Sequence, residues 1–161
     1  YMPYLNGERT PHLDPNARGA FIGLSTVHKK RDMLRAVMEG VSYSLRDCVE
    51  VIREMNINVT DMMACGGGGT SPLWRQMLAD LYGCPVKTTQ NKEGPALGVA
   101  LLAAVGAGVY SSVSEACRAV IAADKIQQPI AENSEKYEKV YAMYRKLYPA
   151  MKQTFAELAE L

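Results

Sequence analysis

Four consecutive glycines, Gly66 to Gly69, stand between a short apolar run and a helical pattern, and they constrain the fold more than any other stretch. Without a Cβ, glycine takes backbone conformations closed to other residues and lets a ligand or a second backbone come close. Before the run, Met62-Met63-Ala64-Cys65 reads as a short strand. After it, Trp74, Met77, Leu78 and Leu81 fall at helical spacing between Pro72 and Tyr82. The segment therefore predicts strand, glycine turn, helix, with the partly positive helix amides directed at the turn. It is not a Walker loop, since no Lys-Ser/Thr follows, and it lacks the acidic residue that the dinucleotide fingerprint carries about twenty positions on. A tight turn without ligand fits the glycines alone as well as a nucleotide site does.

The rest of the chain alternates loops, helices and short strands. Tyr1 to His28 is rich in Pro, Gly and Asn and reads as loop, with one extended piece at Gly19 to Leu24. From Asp32 to Met55, residues Leu34, Val37, Val41, Leu45, Cys48, Ile52 and Met55 recur at spacings of three and four, which predicts a long amphipathic helix. Gly83-Cys84-Pro85 ends the Trp74 helix, and Val86 to Thr89 is β-prone. Glu93 to Ala107 is apolar almost all round, so it predicts a helix buried on most sides. Ser112 with Glu115 is a capping-box signature ahead of Val113, Ala116, Val120 and Ile121. Tyr137, Val140, Tyr144, Leu147, Met151, Phe155 and Leu158 keep helical spacing, and Pro149 should break that helix near Arg145. The tyrosine stripe Tyr137, Tyr141, Tyr144 and Tyr148 reads as a packing face. The pattern is that of an α/β layer architecture. Two or three strands are few for so many helices, so either strands precede Tyr1 or the fold is mainly helical.

Charge and cysteine usage narrow the function. The 161 residues carry 18 basic and 17 acidic side chains, a formal net charge of +1, which argues against nucleic-acid or anionic-membrane partners. No apolar run is long enough for a bilayer and no signal peptide opens the chain, so a soluble, cytoplasmic protein is expected. Cys48, Cys65, Cys84 and Cys117 form no CxxC pair, and only His12 and His28 are at hand, which speaks against a zinc site. Three of the four thiols are expected to be buried and free. The absence of an initiator Met at position 1 suggests a fragment.

Longer stretches carry a family resemblance. Gly19-Ala20-Phe21-Ile22-Gly23-Leu24, then Asp32 to Glu39 after seven residues, resembles the second signature of the FGGY carbohydrate kinases. Tyr4 to His12, with Asp14 and Ala17-Arg18-Gly19, resembles the xylulokinase branch of that family. Gly66 to Gly69 with Trp74 to Asp80 is similar to its adenosine motif, and Gly94-Pro95-Ala96-Leu97-Gly98 to the helix start that follows. The resemblance implies an actin-like ATPase, ribonuclease-H-like α/β fold of two domains with ATP, Mg2+ and sugar between them. Residues 1–161 would be the C-terminal domain, truncated at its N-terminal side and helix-rich with an incomplete sheet. Residues 1–30 would form a loop-rich lead-in, and residues 31–161 the α/β body and C-terminal helices.

The same resemblance assigns Gly66, Gly67, Gly68 and Gly69 to wrap adenine and ribose, Gly69 standing where the family usually has Ala. Ser71 or Pro72 falls where many members place a polar adenine contact. The catalytic aspartate, phosphate loops and sugar contacts lie upstream in the family, so no catalytic residue and no metal ligand is assigned here. Asp61, Asp80, His12 and His28 read as structural, and Glu8 with Arg9 as an ion pair shaping the opening loop. Exposed apolar surface left by truncation would be covered by another copy of the chain. A kinase for gluconate, ribulose, glycerol or another polyol is the nearest alternative. A non-catalytic actin-like nucleotide-binding module and a helical interaction domain are the others.

Overall fold

The computed structural model describes residues 1–90 and 94–161. Helices α1 (Lys30–Glu54), α2 (Gly66–Thr70), α3 (Pro72–Tyr82), α4 (Gly94–Gly106), α5 (Val113–Val120), α6 (Ala131–Tyr144) and α7 (Leu147–Leu158) accompany strands β1 (Met62–Met63), β2 (Val86–Thr89) and β3 (Ala123–Gln127). Two compact units result. One comprises Tyr1–Val59, Asp80–Gly83 and Pro129–Leu161, the other Thr60–Ala79 and Cys84–Gln128. Among the described residues no helix is long and apolar enough to cross a membrane.

The first unit is held by a polar seam between side chains of α1 and α6. An amphipathic helix ordinarily turns its apolar stripe to the core, yet Leu34, Leu45 and Met55 are 58%, 48% and 65% exposed. Ser42, Tyr43, Arg46, Asp47 and Val49 are buried instead. For Tyr43, Arg46 and Asp47 the reason is that α6 supplies partners, while Ser42 Oγ donates to Met38 O within α1 at 2.8 Å. Tyr141 Oη donates to Asp47 Oδ1 at 2.5 Å, and the Arg46 guanidinium lies 4.1 Å above the Tyr141 ring. Arg46 Nε donates to Glu50 at 3.2 Å, and the same guanidinium pairs with Glu138. Tyr43 packs its ring against Tyr141 and Tyr144. Tyrosine buries a large ring and carries a donor at its tip, so a tyrosine-rich face can cover polar groups that leucine would strand.

The lead-in folds onto α7. Met2, Tyr4 and Ala17 form a buried cluster with Tyr148 and Phe155. Met2 and Ala20 exchange backbone hydrogen bonds of 2.9 and 3.1 Å, and among the described residues this bridge is all the pairing that the extended piece at Gly19 to Leu24 makes. Glu8 and Asp14 are bridged likewise at 2.8 and 2.9 Å. His12 stacks on Tyr148 at 3.8 Å, while Tyr148 Oη donates to Asp14 Oδ2 at 2.8 Å, so the histidine pins the loop. Glu8 Oε2 accepts the His12 amide at 2.7 Å and makes no ion pair with Arg9 among the described residues. The chain breaks between Tyr144 and Leu147, where Pro149 has no amide to give to the preceding turn. Ile130, which caps α6, has no side-chain acceptor, and the buried Asp80 fills that need. Its carboxylate accepts the Ile130 amide at 2.7 Å and Asn133 Nδ2 at 2.8 Å, a favourable place for negative charge.

The second unit contains one three-stranded sheet in the order β1-β2-β3. β1 pairs parallel with β2, Met62 opposite Val86. β3 pairs antiparallel with β2, Val86 opposite Gln127 and Thr89 opposite Ala123, with an irregularity between Lys87 and Thr89. The sequence gives no sign of β3, because Ala123 to Ile126 are all exposed, held by backbone pairing and by the Lys125 amide donating to Thr88 Oγ1 at 3.2 Å. Ser112 caps α5 as expected, its Oγ accepting the Glu115 amide at 3.2 Å, while Glu115 reaches back to Ser111. α4 is a correction. Only Leu101 is buried, and Val99 and Leu102 are 68% and 59% exposed. A helix apolar all round needs cover on several sides, and within this unit the helix it packs against is α5. Its expected start at Glu93 lies outside the described residues.

Burial holds the Asp47 carboxyl above the usual carboxylate range, against the Tyr141 hydrogen bond, which pulls the other way. The folded state thus binds this proton more tightly than the unfolded chain does. The stability it contributes is complete below the unfolded value of about 4 and is lost as pH rises through the raised folded value. Asp47→Asn keeps an acceptor for Tyr141 without the charge, so in denaturant titrations it should lose less stability than the wild type as pH rises from about 4 through the raised folded value. Asp47→Ala strands the Tyr141 hydroxyl and should cost about 1–3 kcal/mol at neutral pH.

Candidate functional site

β1 is two residues long, yet its pairing is firm: Met62 N donates to Pro85 O at 2.9 Å and Ala64 N to Lys87 O at 2.8 Å. Parallel strands end on the same side, so Ala64 to Gly66 leave β1 beside Thr88 and Thr89 at the end of β2. Asp61, just ahead of β1, is tied to Lys87 Nζ at 3.1 Å.

The glycines are wound into α2, where the sequence predicts an open turn. Cys65 is extended, and Gly66 takes φ +69, a left-handed angle that side chains resist. That one residue redirects the chain, and Gly67 to Gly69 can then adopt helical angles. Thr70 Oγ1 donates to Gly67 O at 2.8 Å, and Arg75 Nη1 donates to Gly69 O at 2.5 Å. Ser71 separates α2 from α3, and its Oγ lies 3.4 Å from the Trp74 amide as a weak cap.

An open groove of about 400 Å3 lies at this end of the sheet. Ala64, Cys65, Gly66, Gly69 and Thr70 line it, together with Thr88, Thr89, Asp124 and Lys125 from the sheet. Arg75, only 5% exposed, adds a buried guanidinium to the lining. The groove therefore offers three hydroxyls, two cations and one carboxylate, a set that suits a polar ligand carrying hydroxyls and negative charge. Among the described residues no group of three or more His, Cys, Asp or Glu side chains is placed to hold a metal ion.

Of the residues singled out in the sequence, Gly66 and Gly69 line the groove and Gly67, Gly68, Ser71 and Pro72 do not. Gly67 and Pro72 are exposed, and a methyl group at Gly68 would lie 3.5 Å from the Trp74 indole. Sequence reasoning missed Arg75, Thr88, Thr89, Asp124 and Lys125. A charge set among Trp74, Met77 and Leu78 was a readable signal for Arg75, whereas Asp124 and Lys125 sit on the unrecognised β3. The thiols also need correcting: Cys84 alone is buried, Cys48 and Cys117 are half-buried, and Cys65 is exposed at the groove. Cys65 stands just ahead of α2 on the rim of an open groove, where an apolar neighbour in sequence does not mean cover.

A Cβ at Gly69 would come within 2.6 Å of the Ala64 carbonyl oxygen, whereas one at Gly67 would meet nothing within 4 Å. Gly69→Ala should therefore destabilise the chain by about 1–3 kcal/mol, because backbone must move to admit it. Gly67→Ala should be neutral or slightly stabilising, since Ala is favoured over Gly in a helix. Thermal melts of the two variants check the contrast.

Residues 1–107 match the FGGY family of carbohydrate kinases, C-terminal domain. The xylulose kinase of Staphylococcus epidermidis is 40% identical over 158 residues, covering 98% of this chain and 32% of that protein. Among solved structures, a ligand-bound xylulose kinase from Lactobacillus acidophilus superposes with a TM-score of 0.89 at 30% identity, over 98% of this chain and 32% of the other. A gluconate kinase from the same organism gives 0.88 at 30% identity with the same coverage. The chain thus spans about a third of the length of the relatives it matches. Its fold is the actin-like α/β fold of these sugar kinases, and the chain belongs to the FGGY family of carbohydrate kinases.

Proposed function

We propose that this chain is the nucleotide-holding part of an ATP-dependent sugar kinase that phosphorylates D-xylulose. The observation that carries the reading is the glycine segment at the carboxyl ends of two parallel strands, the edge where α/β sheets commonly receive ligands. Gly66, Gly67, Gly68 and Gly69 are read as the wall against adenine and ribose, with Ser71 or Pro72 near the polar edge of the base. ATP supplies the transferred phosphoryl group, and Mg2+ neutralises its charge. The catalytic aspartate, the phosphate loops and the sugar contacts are assigned to the remainder of a two-domain enzyme. We read the enzyme as cytoplasmic, without nucleic-acid or membrane partners, and as able to associate with further copies through exposed apolar surface.

Phosphoryl transfer depends on positioning and on electrostatic stabilisation of the moving group, and neither is complete with one wall of the nucleotide site. The isolated chain should therefore bind ADP only in the millimolar range and phosphorylate no sugar. Gluconate is the second reading for the substrate, because the fold comparison does not separate the two sugars.

The full-length protein should phosphorylate D-xylulose in preference to gluconate. Gly68→Val should raise its KM for ATP far more than its KM for sugar, since the added methyls meet the Trp74 ring and push the glycine wall out of place. Turnover by the isolated chain, or a Gly68→Val enzyme that loses sugar affinity and keeps normal ATP affinity, would defeat this assignment. Steady-state kinetics with each sugar, and ADP titration of the isolated chain, supply the tests.

A further inference from the structure

We propose that Arg75 is a positioning residue for nucleotide binding, fixing the glycine wall by holding the Gly69 carbonyl. The inference rests on the reading of the groove as the nucleotide site. The last carbonyls of a helix have no partner within it, and α2 is so short that this concerns most of its length. Arg75 Nη1 takes up the Gly69 carbonyl at 2.5 Å from a firm base, because the Arg75 amide is itself bonded to Ser71 O at 3.0 Å in the first turn of α3. On its other side Gly69 is confined by Ala64 O, so α2 is located from two directions.

The chemistry of the guanidinium points the same way. Arg75 is 5% exposed, makes no ion pair among the described residues, and leaves Nε without a hydrogen bond. Burying a cation with no ion-pair partner among the described residues is costly, and an apolar side chain would fill the same space without that cost. What an apolar residue could not do is hold a backbone carbonyl and keep positive charge in the groove wall.

The test compares Arg75→Met and Arg75→Lys in the full-length protein. Arg75→Met should raise the KM for ATP about tenfold or more, while the KM for sugar at saturating ATP stays within about twofold. Arg75→Lys, which keeps one donor, should lie between Met and the wild type. An unchanged ATP KM in Arg75→Met, or ATP and sugar KM rising by the same factor, would overturn the proposal. Should the Met variant not fold, Arg75→Lys decides: a raised ATP KM with unchanged sugar KM supports the role, and wild-type values for both refute it. A wild type that phosphorylates no sugar would sink the functional reading and not the clamp. Amide exchange over Gly67 to Thr70 then decides separately, faster exchange in the folded Arg75→Met or Arg75→Lys protein sustaining the clamp and unchanged exchange overturning it.

Discussion

Two backbone hydrogen bonds, Met62 N to Pro85 O and Ala64 N to Lys87 O, determine where the chemistry of the second unit lies. They align β1 with β2 in parallel, so both strands deliver their following residues to one edge of the sheet. With so short a strand there is no redundancy, and a slip of one residue would exchange the faces of Met62 and Met63 and carry the glycines along β2. Thr88 and Thr89 would then no longer stand beside Ala64 and Cys65. The tight approach of Gly69 to Ala64 and the Arg75 bond lie within residues 64–75 and shape the segment that this register delivers to the edge.

The first unit rests on a different kind of interaction. Its buried tyrosines are not merely large hydrophobes, because three of their hydroxyls reach hydrogen-bond partners far away in sequence. Tyr141 meets Asp47, Tyr148 meets Asp14, and Tyr4 meets Tyr144 at 3.0 Å. Each bond is directional, so the seam selects one alignment of α6 and α7 with the lead-in and α1 where a purely apolar contact would tolerate sliding. Burial pushes the Tyr4 phenol up to about 12, which keeps it protonated and able to donate across the physiological range.

Much of the architecture was legible because it depends on local chemistry. The ends of α3, the break before α7 and the Ser112 cap follow from Gly, Pro and Ser at particular positions. The glycine run led to the groove, although its helical winding depends on Thr70 and Arg75, which a motif centred on the glycines does not weigh. The helix α1 was legible from its periodicity, but its buried face was not, for a physical reason. Periodicity locates apolar side chains, but burial follows the face that finds partners, and Asp47 and Arg46 find theirs on α6. β3 and its Asp124 and Lys125 stayed hidden because a strand exposed along almost its whole length leaves no alternation to read.

α4 carries apolar side chains around its whole circumference, and α5 is the helix it meets within its unit. A helix with one polar side has a built-in compass, since water claims that side and so sets its rotation about its own axis. α4 has no such compass. Turning it by a quarter would exchange one set of alanines, valines and leucines for another at nearly equal cost in water. Its azimuth is therefore information that its own sequence does not hold, and beyond the strip that meets α5 it falls to whatever surface comes to lie against Val99 and Leu102.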